Sequence, residues 1–79
     1  MAEITVYSKG YCPYCSAAKA LLDAKGAEYT LIDVTTDAAA RDEMLQRSNG
    51  ARTVPQIFIG EQHIGGFDDL NALHKAGEL

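Results

Sequence analysis

Glu3-Ile4-Thr5-Val6-Tyr7-Ser8-Lys9-Gly10-Tyr11-Cys12-Pro13-Tyr14-Cys15 holds a strand, a loop and a helix start in immediate succession. Glu3 to Tyr7 alternates and is rich in β-branched residues, which is a strand signature. Ser8 to Tyr11, with Gly10 inside it, is a loop. From Pro13 the period changes: Cys15, Ala18 and Leu22 share one helical face, with Ala17 and Leu21 beside them. Proline at the first helical position and Gly26 past the end are the expected punctuation.

The pattern continues outward from this unit. Glu28 to Val34 predicts a second strand. Thr35, Thr36 and Asp37 are N-cap candidates for a helix running to about Ser48, closed by Asn49-Gly50. Gln56 to Ile59 and Gln62 to Ile64 predict two strands joined through Gly60-Glu61 as an antiparallel hairpin. Gly65-Gly66 breaks the chain, and Phe67, Leu70 and Leu73 mark a last helix with Gly77 as its stop. The expected fold class is α/β, in the order β-α-β-α-β-β-α. The first strand, helix and second strand make a parallel crossover, so a mixed four-stranded sheet with three helices on its two faces follows. No internal repeat or linker divides the 79 residues, and one domain spanning 1–79 is expected.

Composition narrows the function. Apolar residues make up 47% and charged residues 23%, a globular balance rather than a disordered one. No apolar run approaches the ~20 residues of a membrane span, and no signal-peptide pattern opens the chain, so a cytoplasmic protein without membrane contact is expected. The net charge of −4 argues against nucleic acid as a partner. That charge is uneven: residues 1–25 sum to +1 and the rest to −5. The two cysteines therefore lie in the less acidic part, a setting that favours a thiolate.

Both cysteines sit in one Cys-x-x-Cys, Cys12 and Cys15. A disulfide closing so short a loop is worth roughly 2 kcal/mol in the chain-entropy model, the low end for a staple. With Pro13 as first helical residue, Cys12 takes the N-cap, where unpaired N–H groups and the helix dipole stabilise a thiolate. Lys9 on the loop before it adds positive charge. Cys12 is thus the expected nucleophile, and Cys15, one turn on and more buried, the resolving thiol. Two inert buried cysteines, or a zinc site, are the competing readings. Zinc would need two further ligands, and His63 and His74 lack a zinc spacing. No metal site is expected.

Two further stretches carry chemistry. In Thr53-Val54-Pro55 the proline must open the following strand or occupy a special turn. A cis bond would turn backbone groups outward, but an ordinary trans proline is the commoner case. Gly65-Gly66-Phe67-Asp68-Asp69 offers free helix-start N–H groups to an anion and carboxylates to a cation, suiting an amino-acid head; plain helix capping explains the same residues equally well.

The CPYC, TVP and GG-x-D-D motifs, in this order, together with Lys9 and the run ARTVPQIFIG, resemble the glutaredoxins over nearly the whole chain. The resemblance implies a thioredoxin fold and a glutathione-dependent thiol–disulfide oxidoreductase. Its substrates would be protein–glutathione mixed disulfides and protein disulfides. Glutathione would be co-substrate, with no permanently bound cofactor, and the chain would act as a monomer with a potential of roughly −200 to −230 mV. Carried over by position, Cys12 attacks and Cys15 resolves. Lys9 and Tyr14 meet the glycyl end of glutathione. Thr53, Val54 and a cis Pro55 meet its cysteinyl part, and Gly66, Phe67, Asp68 and Asp69 its γ-glutamyl head. Arg41 is a weaker candidate for a glutathione carboxylate. Phe67 and Tyr11 depart from the usual Cys or Ser and from smaller residues. The alternatives are a glutathione-ligated iron–sulfur cluster on Cys12, and a thioredoxin-like reductant fed by a flavin reductase. Pro13 counts against the cluster and the TVP and GG-x-D-D motifs against the flavin route.

Overall fold

In the computed structural model, which describes residues 3–79, the elements run β1 (Ile4–Ser8), α1 (Pro13–Ala24), β2 (Tyr29–Asp33), α2 (Ala38–Arg47), β3 (Gln56–Ile59), β4 (Gln62–Gly65) and α3 (Phe67–Lys75). This is the expected order. The sheet order is β2-β1-β3-β4: β1 pairs parallel with β2, and the other two pairings are antiparallel. The four-stranded mixed sheet with three helices is a thioredoxin-like fold.

The central strand explains the two-faced core. Val6 lies opposite Leu31 on one side and Ile57 on the other. Alternate residues of β1 and β3 then enter opposite layers. Val6 and Ile57 pack with Ala18, Leu22 and Leu70, so α1 and α3 cover that face. Tyr7 and Phe58 pack with Val34 and Met44, so α2 covers the other. Because both faces are covered, Thr5 to Ser8 are all buried, and the alternation seen in the sequence sorts residues between two cores rather than between core and water.

Helix ends follow local chemistry. Of the three N-cap candidates of α2, Asp37 takes the position, its Oδ1 accepting the Ala40 N–H at 3.0 Å. Asn49 at φ 58° and Gly50 at φ 94° end that helix. β4 runs one residue beyond its expected end. Phe58 pairs with His63 while Ile57 pairs with Gly65, so Ile64 is the extra residue of a bulge. The break falls at Gly66, the N-cap of α3, and Gly65 belongs to the strand with φ +117°.

Candidate functional site

The site gathers where β1, the segment before β3, and β4 each hand over to another element. Pro13 is the first residue of α1, which leaves Cys12 as its N-cap in extended conformation. The Cys12 Sγ accepts the Cys15 N–H at 3.2 Å, a contact that supplies one of the unpaired helix-start donors with a sulfur acceptor. On its other side the same sulfur lies 3.7 Å from the Val54 carbonyl oxygen, to which a Cys12 S–H donates. The loop carrying Lys9 to Tyr11 is tied down from across the sheet: the Gly10 N–H donates to Thr35 Oγ1 at 3.1 Å, and the Thr35 N–H to Asp33 Oδ1 at 2.7 Å.

The two thiols are free and differ in surroundings. Cys15 is buried, and Cys12 is half-exposed. Burial pushes the Cys15 thiol up to about 11, and the hydrogen bond with Cys12 adds to it; the Lys9 backbone N–H and charge pull the other way. At neutral pH Cys15 is therefore a thiol.

A cleft of about 470 Å³ lies beside this helix start; Cys12 is outside its lining and meets it through the Val54 carbonyl, 3.7 Å from the sulfur. One wall is Thr53, Val54 and Pro55, with the Val54–Pro55 bond cis. That is the arrangement the resemblance implied and not the trans bond that the residues alone favoured. The opposite wall is Gly66 to Asp69 at the start of α3, and Tyr14 closes one end. The Tyr14 and Phe67 rings lie 6.4 Å apart and tilted by 30°, bridging α1 and α3. The Phe67, Asp68 and Asp69 N–H groups have no intrahelical acceptors by helix geometry. Asp69 is not wholly free to receive a cation, because its Oδ2 accepts the Gly66 N–H at 3.2 Å and so caps the helix. The capping reading of the GG-x-D-D stretch thus holds for Asp69, and Asp68, also exposed, is the carboxylate without that capping contact.

Lys9 stands on the exposed loop outside the cleft lining, and Arg41 is exposed on α2, also outside it. Gln56 and His63 line the cleft without having been expected there. Gln56 had a signal: it is a polar residue at the head of an otherwise apolar strand. Read along the sequence, His63 offers only the spacing test for zinc, with no signal that it meets Gln56. Among the described residues no group of three His, Cys, Asp or Glu side chains is placed to hold a metal ion. Nor is any described helix long and apolar enough to cross a membrane.

The glutaredoxin family model matches residues 4–64. Over 79 residues the chain is 53% identical to Glutaredoxin 3 of Escherichia coli K12, covering all of this chain and 94% of that one. This chain belongs to the glutaredoxin family. The solution structure of a glutaredoxin from Brucella melitensis superposes with a TM-score of 0.82 at 50% identity, covering 99% of this chain and 84% of that one. A crystal structure described as a buckwheat glutaredoxin–glutathione complex superposes with a TM-score of 0.86 at 42% identity, covering 99% and 73%. As a glutaredoxin it is a thiol–disulfide oxidoreductase, and its Cys12–Cys15 spacing is that of a CxxC active site. These matches do not favour the iron–sulfur alternative.

Proposed function

We propose that the chain reduces protein–glutathione mixed disulfides and protein disulfides with glutathione as its co-substrate, acting as a monomer in the reducing cytoplasm. The observation that carries this is the cleft. It brings Tyr14, the Thr53–Pro55 wall and the Gly66–Asp69 helix start together beside Cys12. A peptide-sized ligand with a carboxylate and an ammonium at one end fits the free N–H groups of α3 and the carboxylate of Asp68. The buckwheat relative's glutathione complex supports the same ligand class.

In the cycle, the Cys12 thiolate attacks the glutathione sulfur of a protein mixed disulfide. The Cys12–glutathione disulfide forms as the protein–glutathione bond breaks, and the protein thiolate leaves and takes a proton. A second glutathione thiolate then attacks the bound glutathione sulfur, releasing oxidised glutathione and restoring Cys12. With a protein disulfide, the Cys12 thiolate attacks one sulfur, the protein S–S bond breaks and the other sulfur leaves as a thiolate; Cys15 then displaces the second protein thiolate from Cys12, leaving a Cys12–Cys15 disulfide. Two glutathione molecules reduce that bond. Lys9, on its exposed loop, supplies charge toward the glycyl carboxylate, and the backbone of Val54 pairs with the cysteinyl residue.

A glutathione-coupled mixed-disulfide assay tests this. Cys12→Ser should abolish turnover. Cys15→Ser should keep turnover of glutathione mixed disulfides and lose reduction of protein disulfides. Wild-type turnover with a flavin-dependent thioredoxin reductase and none with glutathione would overturn the proposal.

A further inference from the structure

We propose that His63, acting through Gln56, is a positioning residue that holds the Thr53–Val54–Pro55 wall of the cleft in place. The inference rests on the glutathione reading above for its consequence in turnover, but not for the brace itself.

Gln56 is 4% exposed, so its side-chain amide needs partners inside the protein. The amide nitrogen donates to the Thr53 carbonyl oxygen at 2.9 Å and to Thr53 Oγ1 at 3.2 Å. A carbonyl oxygen can only accept, so this contact fixes which end of the amide faces Thr53. The Gln56 Oε1 therefore faces the His63 Nε2, 2.6 Å away, and that nitrogen must carry a proton. Both the neutral ring with its proton on Nε2 and the imidazolium satisfy it. The ring is held in turn by stacking on Phe58, with centroids 4.9 Å apart and planes 27° apart. Phe58 is buried in the second core, with the Arg47 guanidinium 4.2 Å from its ring centre.

The chain of contacts thus runs from a rigid core ring, through His63 on β4, to Gln56 and so to Thr53. Without the His63 donor, the Gln56 Oε1 is left without this partner. The amide is then free to turn, and its two bonds to Thr53 loosen together. Thr53 adjoins Val54, whose carbonyl faces the Cys12 sulfur. Loosening this wall weakens ligand binding while leaving the Cys12 helix start intact.

Three variants separate donor, ring and amide. His63→Phe keeps a ring on Phe58 and removes the donor. His63→Gln gives up the ring and keeps an N–H at a similar reach. Gln56→Met keeps the volume and removes the amide. For His63→Phe we expect KM for a glutathione mixed-disulfide substrate to rise about five- to tenfold, the size of one lost hydrogen bond to a buried amide, with kcat within about twofold. His63→Gln should bring KM back to within about twofold of wild type. His63→Phe combined with Gln56→Met should be no worse than Gln56→Met alone, as expected of one network. Amide hydrogen exchange on the free protein supplies the arm without glutathione: His63→Phe should speed exchange at Thr53, Val54 and Gln56 and leave Leu22 in α1 unchanged. Unchanged exchange at those three amides overturns the brace, as does a His63→Phe variant with wild-type KM or additive effects in the double variant. Faster exchange at Leu22 as well marks general destabilisation and also overturns it. A wild-type protein that turns over no glutathione mixed disulfide defeats the function proposed above, while the exchange arm still decides the brace.

Discussion

Gly65 is the position where one added methyl group should do the most damage. Its φ of +117° lies where L side chains are rarely found, and a Cβ built there collides with the Asp69 carboxylate. That carboxylate accepts the Gly66 N–H and so caps α3. In Gly65→Ala the backbone strain costs about 1–3 kcal/mol. The Asp69 side chain must also swing away, because its Cγ and Cβ lie close to the new atom as well. That forfeits a cap worth roughly 1 kcal/mol. Together these come to about 2–4 kcal/mol, or a fall in Tm of about 10–25 °C for a chain of this size. The assay is thermal or urea unfolding of Gly65→Ala, Asp69→Ala and the double variant. Asp69→Ala alone should cost about 1 kcal/mol. In the double variant the cap can be lost only once, so the combined cost should fall about 1 kcal/mol short of the sum. A Gly65→Ala protein melting within about 2 °C of wild type would refute the strain, and strictly additive costs would refute the collision with Asp69.

Other expectations follow from the same contacts. Iodoacetamide at pH 7 should label Cys12 well before Cys15, with Cys15 labelling rising toward pH 11, where burial has placed its thiol; equal rates at pH 7 contradict the burial account. Since the folded state holds the Cys15 proton to higher pH than the unfolded chain does, the stability this supplies is fully present below about 9 and is lost as pH rises through about 11. Urea midpoints of wild type and Cys15→Ser should therefore converge or cross over that window, and parallel curves would count against it. Arg47→Met keeps the apolar stem but removes donors to the Tyr7 hydroxyl at 2.9 Å and the Gly60 carbonyl at 3.2 Å, with the cation over Phe58. It should cost about 1–3 kcal/mol in unfolding free energy, nearly all of it from those contacts, since the exposed Glu43 pair at 3.8 Å contributes little. Asp37→Ala should remove the cap of α2 and cost about 1 kcal/mol by the same measurement.

The sequence shows features set by neighbours in the chain and hides those set by neighbours in space. Pro13, Asp37 and Gly50 mark helix ends through local chemistry, and the structure puts ends there. The cis Val54–Pro55 bond was legible only through the family resemblance, because nothing within three residues distinguishes it from the commoner trans form. The Gln56–His63 contact depends on how β3 pairs with β4. The extra residue Ile64 shifts that pairing, and no spacing rule read along the chain places the bulge. Tyr7 is a second instance. It reads as an apolar strand residue, yet its hydroxyl donates to Glu43 at 2.6 Å and accepts from Arg47, both on α2. Burial, and after it the hydrogen bond to Glu43, pushes the Tyr7 hydroxyl above its ordinary range, with Arg47 pulling the other way. Arg41 and Arg47 are both on α2, and sequence reasoning singled out Arg41 rather than Arg47, whose guanidinium reaches Tyr7, Gly60 and Phe58.

One helix start gives two identical side chains different duties in the proposed cycle. Cys12 sits before the first turn, where its sulfur can accept the Cys15 N–H. Cys15 lies in the first turn and is buried, as are Ala18 and Leu22 further along the helix. Burial is the main cause that keeps Cys15 protonated, and the hydrogen bond and charge of Cys12 are two more. Those two vanish once the Cys12 sulfur is tied into a mixed disulfide. The Lys9 N–H and charge then act on Cys15 against burial alone. Bonding at Cys12 thus lowers the obstacle to deprotonating Cys15 at the one moment when its thiolate has a disulfide to attack. In the proposed cycle the depth of one side chain, set by the 3.6-residue turn between Cys12 and Cys15, thus separates the attacking thiol from the resolving one.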